Sequence, residues 1–308
     1  MNMMQNVKQK LVLAVLLLAC QLPIVSWQSA ACAQTRRALI FGLGEQEDTR
    51  WAKLSGDNDV RYVRQMLLRM GYADIRTLVN EQATKQGMTD ALLTLALRCE
   101  RGDHIYIHYS GHGQLMTDLD GDERLKWSSG HAGYDEAWIP YDAYMTPCNE
   151  DNGEKHLSDD EVAYYLRAIR KRIGRRGRLT VVVDACHSGD ATAAADSDED
   201  DEVVRGVDTK FVVPLDPAVP QATQVVREEW QTISACKPYQ LSTEMKTPQV
   251  GKLTYALYTL GAAAFELDNA ELEAVLTLFM EQHKGRLTQT PMVRGGKRGE
   301  GRGKREEW

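Results

Sequence analysis

Short apolar runs alternate with longer amphipathic segments along most of the chain. Apolar or alternating runs predict β-strands over residues 37–42, 75–79, 104–109, 179–183 and 230–235, and a last edge strand over 290–294. Apolar positions three and four apart predict helices over residues 59–70, 88–97, 158–173, 253–265 and 269–283. Because strands that alternate with helices build parallel sheets, the pattern predicts an α/β fold with helices on both faces of a mostly parallel central sheet.

Two polar stretches interrupt this alternation. Residues 114–157 are polar and acidic, and residues 190–229 hold six acids within positions 196–202, followed by three prolines. Loops of this length in a compact domain are usually functional or disordered. The tail over residues 295–308 is rich in glycine, lysine and arginine, which predicts a disordered basic tail.

The N-terminal segment has the layout of a secretory signal peptide. Lys8 and Lys10 precede an unbroken apolar run over residues 11–19, and Ala-Cys-Ala at residues 31–33 offers a small-x-small cleavage site. We therefore expect residues 1–33 to direct export to the periplasm, the cell surface or the medium.

Two other interpretations of this segment remain. A membrane anchor needs about 18–20 apolar residues, and Gln21 and Pro23 interrupt the run before that length, so we expect no transmembrane span. Leu-Leu-Ala-Cys at residues 17–20 also resembles a lipoprotein signal, in which Cys20 would be acylated.

Composition narrows the class of protein. The 308 residues are 43% hydrophobic and 26% charged, as in globular proteins. The formal charge is −7, which argues against a nucleic-acid partner, because such a protein needs a basic face. Six cysteines are too few for a disulfide scaffold.

Two motifs follow predicted strands, at the sheet edge where α/β proteins place their sites. One is Tyr-Ser-Gly-His-Gly at residues 109–113, and the other is Asp-Ala-Cys-His-Ser-Gly at residues 184–189. Neighbouring strands would bring His112 and Cys186 together. A histidine beside a thiol favours the thiolate and then protonates the leaving amine, so we expect Cys186 as nucleophile and His112 as general acid and base.

Other interpretations of these residues are less favoured. A lone buried cysteine is often a small hydrophobe, and a lone loop histidine often bonds to backbone. His187 is a rival base, but a side chain adjacent in an extended segment points the opposite way from its neighbour. Ser188 as a nucleophile would need a Gly-x-Ser-x-Gly elbow, which is absent here.

The paired motifs resemble those of the caspase-like cysteine peptidases, on the metacaspase side. Supporting patches lie at residues 54–59, 133–136, 139–142 and 233–237, and the likeness covers residues 36–294. It implies a caspase-like α/β/α sandwich with a six-stranded sheet, a His/Cys dyad, and hydrolysis of peptide bonds in a peptide or protein substrate. It also implies one peptidase domain over 34–294, with a large part over 34–190, a linker over 190–229 and a small part over 230–294.

The resemblance also implies a substrate pocket. Metacaspases bind the substrate's Arg or Lys with two aspartates, and Asp184 and Asp59 match those positions, although the spacing before Asp59 is one residue short. The plainer alternative is that Asp184 only braces its loop. The glycines beside the dyad suggest an oxyanion hole made by the backbone N–H groups of Gly113 and Cys186.

Calcium is a possible activator, while the chemistry itself requires no cofactor. Residues 118–122 suggest an EF-hand, but that loop lacks the sixth-position glycine and the twelfth-position glutamate. The resemblance instead implies a calcium site at Asp135, Asp159 and Asp160. The alternative is that Asp159 and Asp160 are first-turn acids that a helix dipole favours.

Self-processing is expected in the linker over residues 190–229. Three basic sites lie there, Arg205, Lys210 and Arg227, and Arg205 comes first after the acidic run. A solvated, extended loop is the state that a protease cleaves. The alternatives are an inert surface loop and, for the whole chain, a catalytically silent caspase-like binding module or a peptidase of other specificity.

Overall fold

A mostly parallel sheet of six strands lies at the centre of the protein. The computed structural model describes residues 34–122, 133–186, 202–214 and 229–296. The strands of this sheet are β1 (Arg36–Gly42), β2 (Asp74–Val79), β3 (His104–Ser110), β7 (Arg178–Asp184), β8 (Gln231–Ser234) and β11 (Met292–Arg294). Their order is β11-β8-β7-β3-β1-β2, and only β11 is antiparallel to its neighbour. The predicted fold class is confirmed.

Helices cover both faces of this sheet. They are α1 (Gly56–Arg69), α2 (Lys85–Arg98), α3 (Asp159–Ile173), α4 (Lys252–Leu260) and α5 (Asn269–Gln282). Helices α2 and α3 pack on one face, whereas α1, α4 and α5 pack on the other. The predicted helix over 253–265 ends earlier, because Gly261 has φ +57°, a left-handed conformation that suits glycine, and a 3-10 turn follows.

A second, smaller sheet occupies the stretch predicted as a long loop over 114–157. Its strands are β4 (Gly113–Thr117), β5 (Tyr134–Trp138) and β6 (Leu157–Ser158), all antiparallel. A short hairpin of β9 (Glu244–Met245) and β10 (Val250–Gly251) precedes α4. Both features stand beside the carboxyl ends of the central strands and enclose the residues described below.

Residues 202–214 contradict the expectation of a solvated linker. Bridges join Gly206 to Gly113 and Phe211 to Met116, so this segment runs parallel to β4. Phe211 is fully buried in a cluster that includes Met116 and Ile139. The segment is extended but packed, because its apolar side chains find partners on the second sheet.

Several predictions concern residues outside the described ranges. The signal segment 1–33, most of the tail over 295–308 and Arg227 fall there. Within the described part of the chain, no helix combines the length and the apolar character needed to cross a membrane.

Candidate active site

Strand register places His112 and Cys186 at equivalent positions. Ser110 at the end of β3 is paired with Asp184 at the end of β7, and each dyad residue lies two positions further on. The Gly111 N–H also donates to the Asp184 carbonyl oxygen at 3.4 Å, which keeps the two chains together beyond the strands. Both dyad side chains are buried.

The His112 ring is held by the loop before α1. Its Nε2 lies 2.7 Å from the carbonyl oxygen of Ala52, to which it donates, and the Trp51 ring lies 5.0 Å away between centroids. Burial lowers the pKa of His112 to about 4, although the bond to Ala52 opposes this shift. Its Nδ1 has no hydrogen-bond partner among the described residues. His112 is therefore a neutral imidazole with an available basic nitrogen.

Cys186 is a neutral thiol in this arrangement. Burial raises its pKa to about 12, while a backbone hydrogen bond from Ser242 and the nearby Arg205 charge lower it. With both side chains neutral, attack by this sulfur would require removal of the thiol proton in the same step.

The peptide bond between Arg205 and Gly206 lies close to Cys186. The N–H groups of Gly113 and Cys186 both donate to the Arg205 carbonyl oxygen, each at 3.1 Å. A Cβ added at Gly206 would lie only 2.6 Å from Cys186 Sγ, so the sulfur and this backbone are in close approach. These two donors are the groups predicted as an oxyanion hole.

The Arg205 side chain fills a pocket of three carboxylates. Nη2 lies 2.8 Å from Asp59 and 2.9 Å from Glu244, and Nη1 lies 3.6 Å from Asp184. Arg205 Nε also donates to Glu244 at 3.1 Å, and Nη1 donates to the Ser110 hydroxyl. Burial alone would lower the pKa of Arg205, but Asp59, Asp184 and Glu244 raise it.

Each carboxylate of this pocket is fixed by further donors. The Gly251 N–H donates to Asp59 at 3.0 Å, and the N–H and hydroxyl of Thr254 donate to Asp184 at 2.9 and 2.7 Å. The N–H and hydroxyl of Ser55 donate to Glu244, both at 2.7 Å. Asp184 thus braces the start of α4 and also faces the Arg205 guanidinium.

Charge in the pocket depends on its occupant. Burial raises the pKa of Asp59 to about 7, Arg205 opposes this rise, and Asp184 adds to it. Without a bound cation the carboxylates would repel one another in a dry site, so a guanidinium or ammonium is the complementary ligand.

Of the two other predicted cleavage sites, only Lys210 lies among the described residues. Lys210 is exposed, with Nζ 4.0 Å from the centre of the Tyr134 ring. Arg227 lies outside the described residues. Sequence reasoning missed Glu244, because nothing in its surroundings signals a site and only the β9–β10 hairpin brings it to Arg205.

Acidic side chains from three segments converge beside the active site. Carboxylate oxygens of Asp122, Asp135 and Asp160 all lie within 4.8 Å of one another, as do those of Asp118, Asp120 and Asp122. Of the predicted calcium residues, Asp135 and Asp160 belong to these groups, and Asp159 belongs to neither, although it lines the cavity next to Asp160. Asp122 joins them, although the sequence had excluded its loop as an EF-hand.

This acidic cluster fits a hard divalent cation. Burial raises the pKa of Asp135 to about 8, and the neighbouring Asp160, Asp118, Asp120 and Asp122 add to the rise. The buried Asp135 Oδ1 has no hydrogen-bond partner among the described residues. An all-oxygen donor set of this kind suits calcium.

A six-stranded sheet between two helical layers, with histidine and cysteine motifs at one edge, is a caspase-like architecture. The metacaspase model of the peptidase C14 domain matches residues 36–195, and the chain belongs to the metacaspase family. The chain is 33% identical over 177 residues to Metacaspase-1 of Eremothecium gossypii, which covers 54% of this chain and 35% of that protein. Metacaspase-1 of Schizosaccharomyces pombe is 33% identical over 175 residues, covering 54% and 36%.

The chain therefore spans little more than a third of the length of these curated relatives. Two solved structures share its fold. A structural-genomics protein from Geobacter sulfurreducens has a TM-score of 0.57 at 21% identity, over 84% of this chain and 92% of that one. Caspase-1 from Spodoptera frugiperda has a TM-score of 0.55 at 13% identity, over 85% and 86%.

Proposed function

We propose that this metacaspase is a cysteine endopeptidase that cuts after basic residues, and that the Arg205–Gly206 bond is its first substrate. The proposal rests on one observation, which is that the backbone and the side chain of Arg205 are both bound at the candidate site. Its carbonyl oxygen accepts hydrogen bonds from Gly113 and Cys186 while its guanidinium occupies the acidic pocket. A residue held at both ends in this way is in the position of a substrate before the cut.

The residues support acyl transfer through a thioester. His112 Nδ1 takes the Cys186 Sγ proton as the sulfur bonds to the Arg205 carbonyl carbon, and the Gly113 and Cys186 N–H groups stabilise the oxyanion. The carbon–nitrogen bond then breaks, and His112 returns the proton to the Gly206 amine. Water, activated by His112, hydrolyses the thioester and frees the Arg205 carboxylate.

Basic specificity follows from charge complementarity in the pocket. Three carboxylates surround one guanidinium, so a substrate aspartate there would meet only repulsion. Arginine donates more hydrogen bonds in this pocket than lysine could, because Nε and Nη2 both donate to Glu244. The expected order of preference is therefore arginine, then lysine, with aspartate excluded.

Calcium activation is supported by the acidic cluster. Asp122, Asp135 and Asp160 would hold the ion, whose charge would relieve their mutual repulsion. His112 and Cys186 would carry out the reaction with or without bound calcium.

Export is a separate proposal that rests on the sequence of residues 1–33. Sequencing the N-terminus of protein recovered from outside the cytoplasm should give Gln34 as the first residue. An intact N-terminus on protein retained in the cytoplasm would contradict it.

One experiment tests the peptidase. Purified full-length wild type should convert from one chain to two, with a new N-terminus at Gly206, and should then cut fluorogenic peptides ending in Arg or Lys but not Asp. The Cys186→Ala chain should stay whole. A folded wild type that cuts neither itself nor any peptide, with and without calcium, would favour a silent binding module instead.

A further inference from the structure

The chain on the amino-terminal side of Arg205 pairs with the main chain opposite it. The Arg205 N–H donates to the Ser242 carbonyl oxygen at 2.9 Å, and the Glu244 N–H donates to the Val203 carbonyl oxygen at 3.1 Å. A bridge also joins Val204 to Thr243. Residues 203–205 therefore lie as a short antiparallel strand, whose register is set by the backbone and not by their side chains.

Side chains alternate along this strand as they do in a sheet. Val204 packs against a buried cluster of Cys186, Cys236 and Leu241. Val203 points away and is 41% exposed. Counting back from the Arg205–Gly206 bond, the second residue, Val204, is therefore enclosed and the third, Val203, is exposed. The alternation predicts that the side chain of the fourth residue contacts the protein.

The fourth residue is Glu202, and its carboxylate lies in a basic recess. Lys252 Nζ lies 2.7 Å from Oε1, and the Leu287 N–H donates to Oε2 at 2.9 Å. The lysine side chain is 6% exposed and the glutamate 11%. Burial alone would raise the pKa of Glu202, but the hydrogen bond from Lys252 and backbone N–H groups of Leu287 and Arg286 lower it.

The recess is shaped as well as charged. Gly285 lies against the carboxylate, and a Cβ at that position would collide with Glu202. The missing side chain leaves the space that the acid occupies.

Lys252 stands where a cation is costly. It is the first residue of α4, and a helix dipole disfavours positive charge at its N-terminus. The residue is also buried, and among the described residues its ammonium pairs with Glu202 alone. An ammonium in this position needs a carboxylate from whatever chain lies in the groove.

We propose that Lys252, Gly285 and the Leu287 N–H form an acid subsite, which selects glutamate four residues before the cut bond. This inference rests on the proposed peptidase function and names its substrate class. In chain order, the four residues before the cut bond are an acid, any residue, a small apolar residue and arginine. The last acid of the 196–202 run is then a recognition residue as well as part of a solvating stretch.

Peptide hydrolysis by the self-processed enzyme tests the acid subsite. Fluorogenic peptides would carry Val-Val-Arg before the bond, preceded by Glu, Gln or Lys. Wild type should prefer Glu over Gln by about ten-fold in kcat/KM, as expected for a hydrogen-bonded charge pair, and should cut the Lys peptide least. In Lys252→Gln the Glu-to-Gln ratio should fall close to one, and Lys252→Glu should prefer the Lys peptide.

Two further variants separate charge from shape. Gly285→Ala should lose the preference for Glu, because its methyl group takes the carboxylate's space. Lys171→Gln, on the opposite face of the sheet, is the matched control and should keep the wild-type ratio. A wild type that cuts Glu and Gln peptides equally would overturn the acid subsite while leaving the peptidase standing.

A second measurement does not depend on activity. In the full chain carrying Cys186→Ala, Glu202→Lys should speed hydrogen exchange of the Arg205 and Glu244 amides, the two donors that pair this strand, by about ten-fold, because the strand loses its anchor. Adding Lys252→Glu should restore protection by reversing both charges. Unchanged exchange in Glu202→Lys would overturn the acid subsite. Restored protection in the charge-reversed chain, together with a folded wild type that cuts neither itself nor any peptide, would overturn the proposed function alone.

Discussion

The Arg205 carbonyl oxygen lies 3.1 Å from the Cys186 nitrogen, while the guanidinium of the same residue lies 2.8 Å from Asp59. One residue therefore covers Cys186 with its backbone and fills the carboxylate pocket with its side chain. Water is excluded from His112 and Cys186 by this arrangement, which is why burial dominates the pKa of both. We infer that the uncut chain is latent towards other substrates and that its first turnover is intramolecular.

Arg205→Gln should abolish cleavage at the 205–206 bond. Glutamine carries no charge to offset the buried carboxylates, so the segment loses its anchor in the pocket. Intact mass and N-terminal sequencing should find no chain that starts at residue 206. Lys210→Gln, in the same segment but exposed, is the control and should be cut normally. Cleavage of Arg205→Gln at this bond at the wild-type rate would refute the role of Arg205.

Glu244→Gln should narrow the preference for arginine over lysine. Two guanidinium nitrogens, Nε and Nη2, donate to Glu244, and lysine has no atom in the place of Nε. Losing the charged acceptor should lower the Arg-to-Lys ratio of kcat/KM by roughly ten-fold, measured on paired fluorogenic peptides. Glu229→Gln, an exposed acid, should keep the ratio. If Glu244→Gln also keeps the Arg-to-Lys ratio of the wild type, Glu244 does not select arginine over lysine.

Binding of arginine ligands should strengthen as pH rises through the neutral range. With Arg205 in the pocket, burial raises the pKa of Asp59 to about 7 although the guanidinium lowers it, so the carboxyl of the emptied pocket ionises only at a higher pH than that of the occupied one. Only the ionised form attracts a guanidinium, so the inhibition constant of arginine methylamide should fall by roughly ten-fold between pH 6 and 9. Asp59→Asn should flatten this profile. A wild-type constant that does not change over this range would contradict the assignment.

Calcium should activate the chelator-treated enzyme through the acidic cluster. Asp135→Asn and Asp160→Asn each remove a charged ligand, so both should weaken calcium binding measured by calorimetry by at least ten-fold and should lose most of the activation. Asp90→Asn, an exposed acid on α2, is the control. Equal peptidase rates of the wild type with chelator and with millimolar calcium would remove the proposal.

Local patterns in the sequence anticipated the central sheet and its helices closely. The β-branched run of β7 is buried on both faces, and the Ser158 side chain accepts the N–H of Glu161 at the start of α3, as its spacing predicts. Strands β4, β5 and β6 were missed, because their pairs lie far apart in the chain and their polar faces resemble a loop. Such strands become recognisable only when the partner that covers them is known.

The sequence by itself determined the chemistry that the site offers: a histidine and a cysteine at the ends of neighbouring strands, and an aspartate two residues before the cysteine. Tertiary structure decided what surrounds that chemistry. Glu244 and Lys252 come from the hairpin and helix after β8, and they pair with Arg205 and Glu202. Arg205 is buried although an acidic run ends only three residues before it. Burial and charge pairing between residues tens of positions apart leave no local pattern, because they arise only when the chain closes on itself.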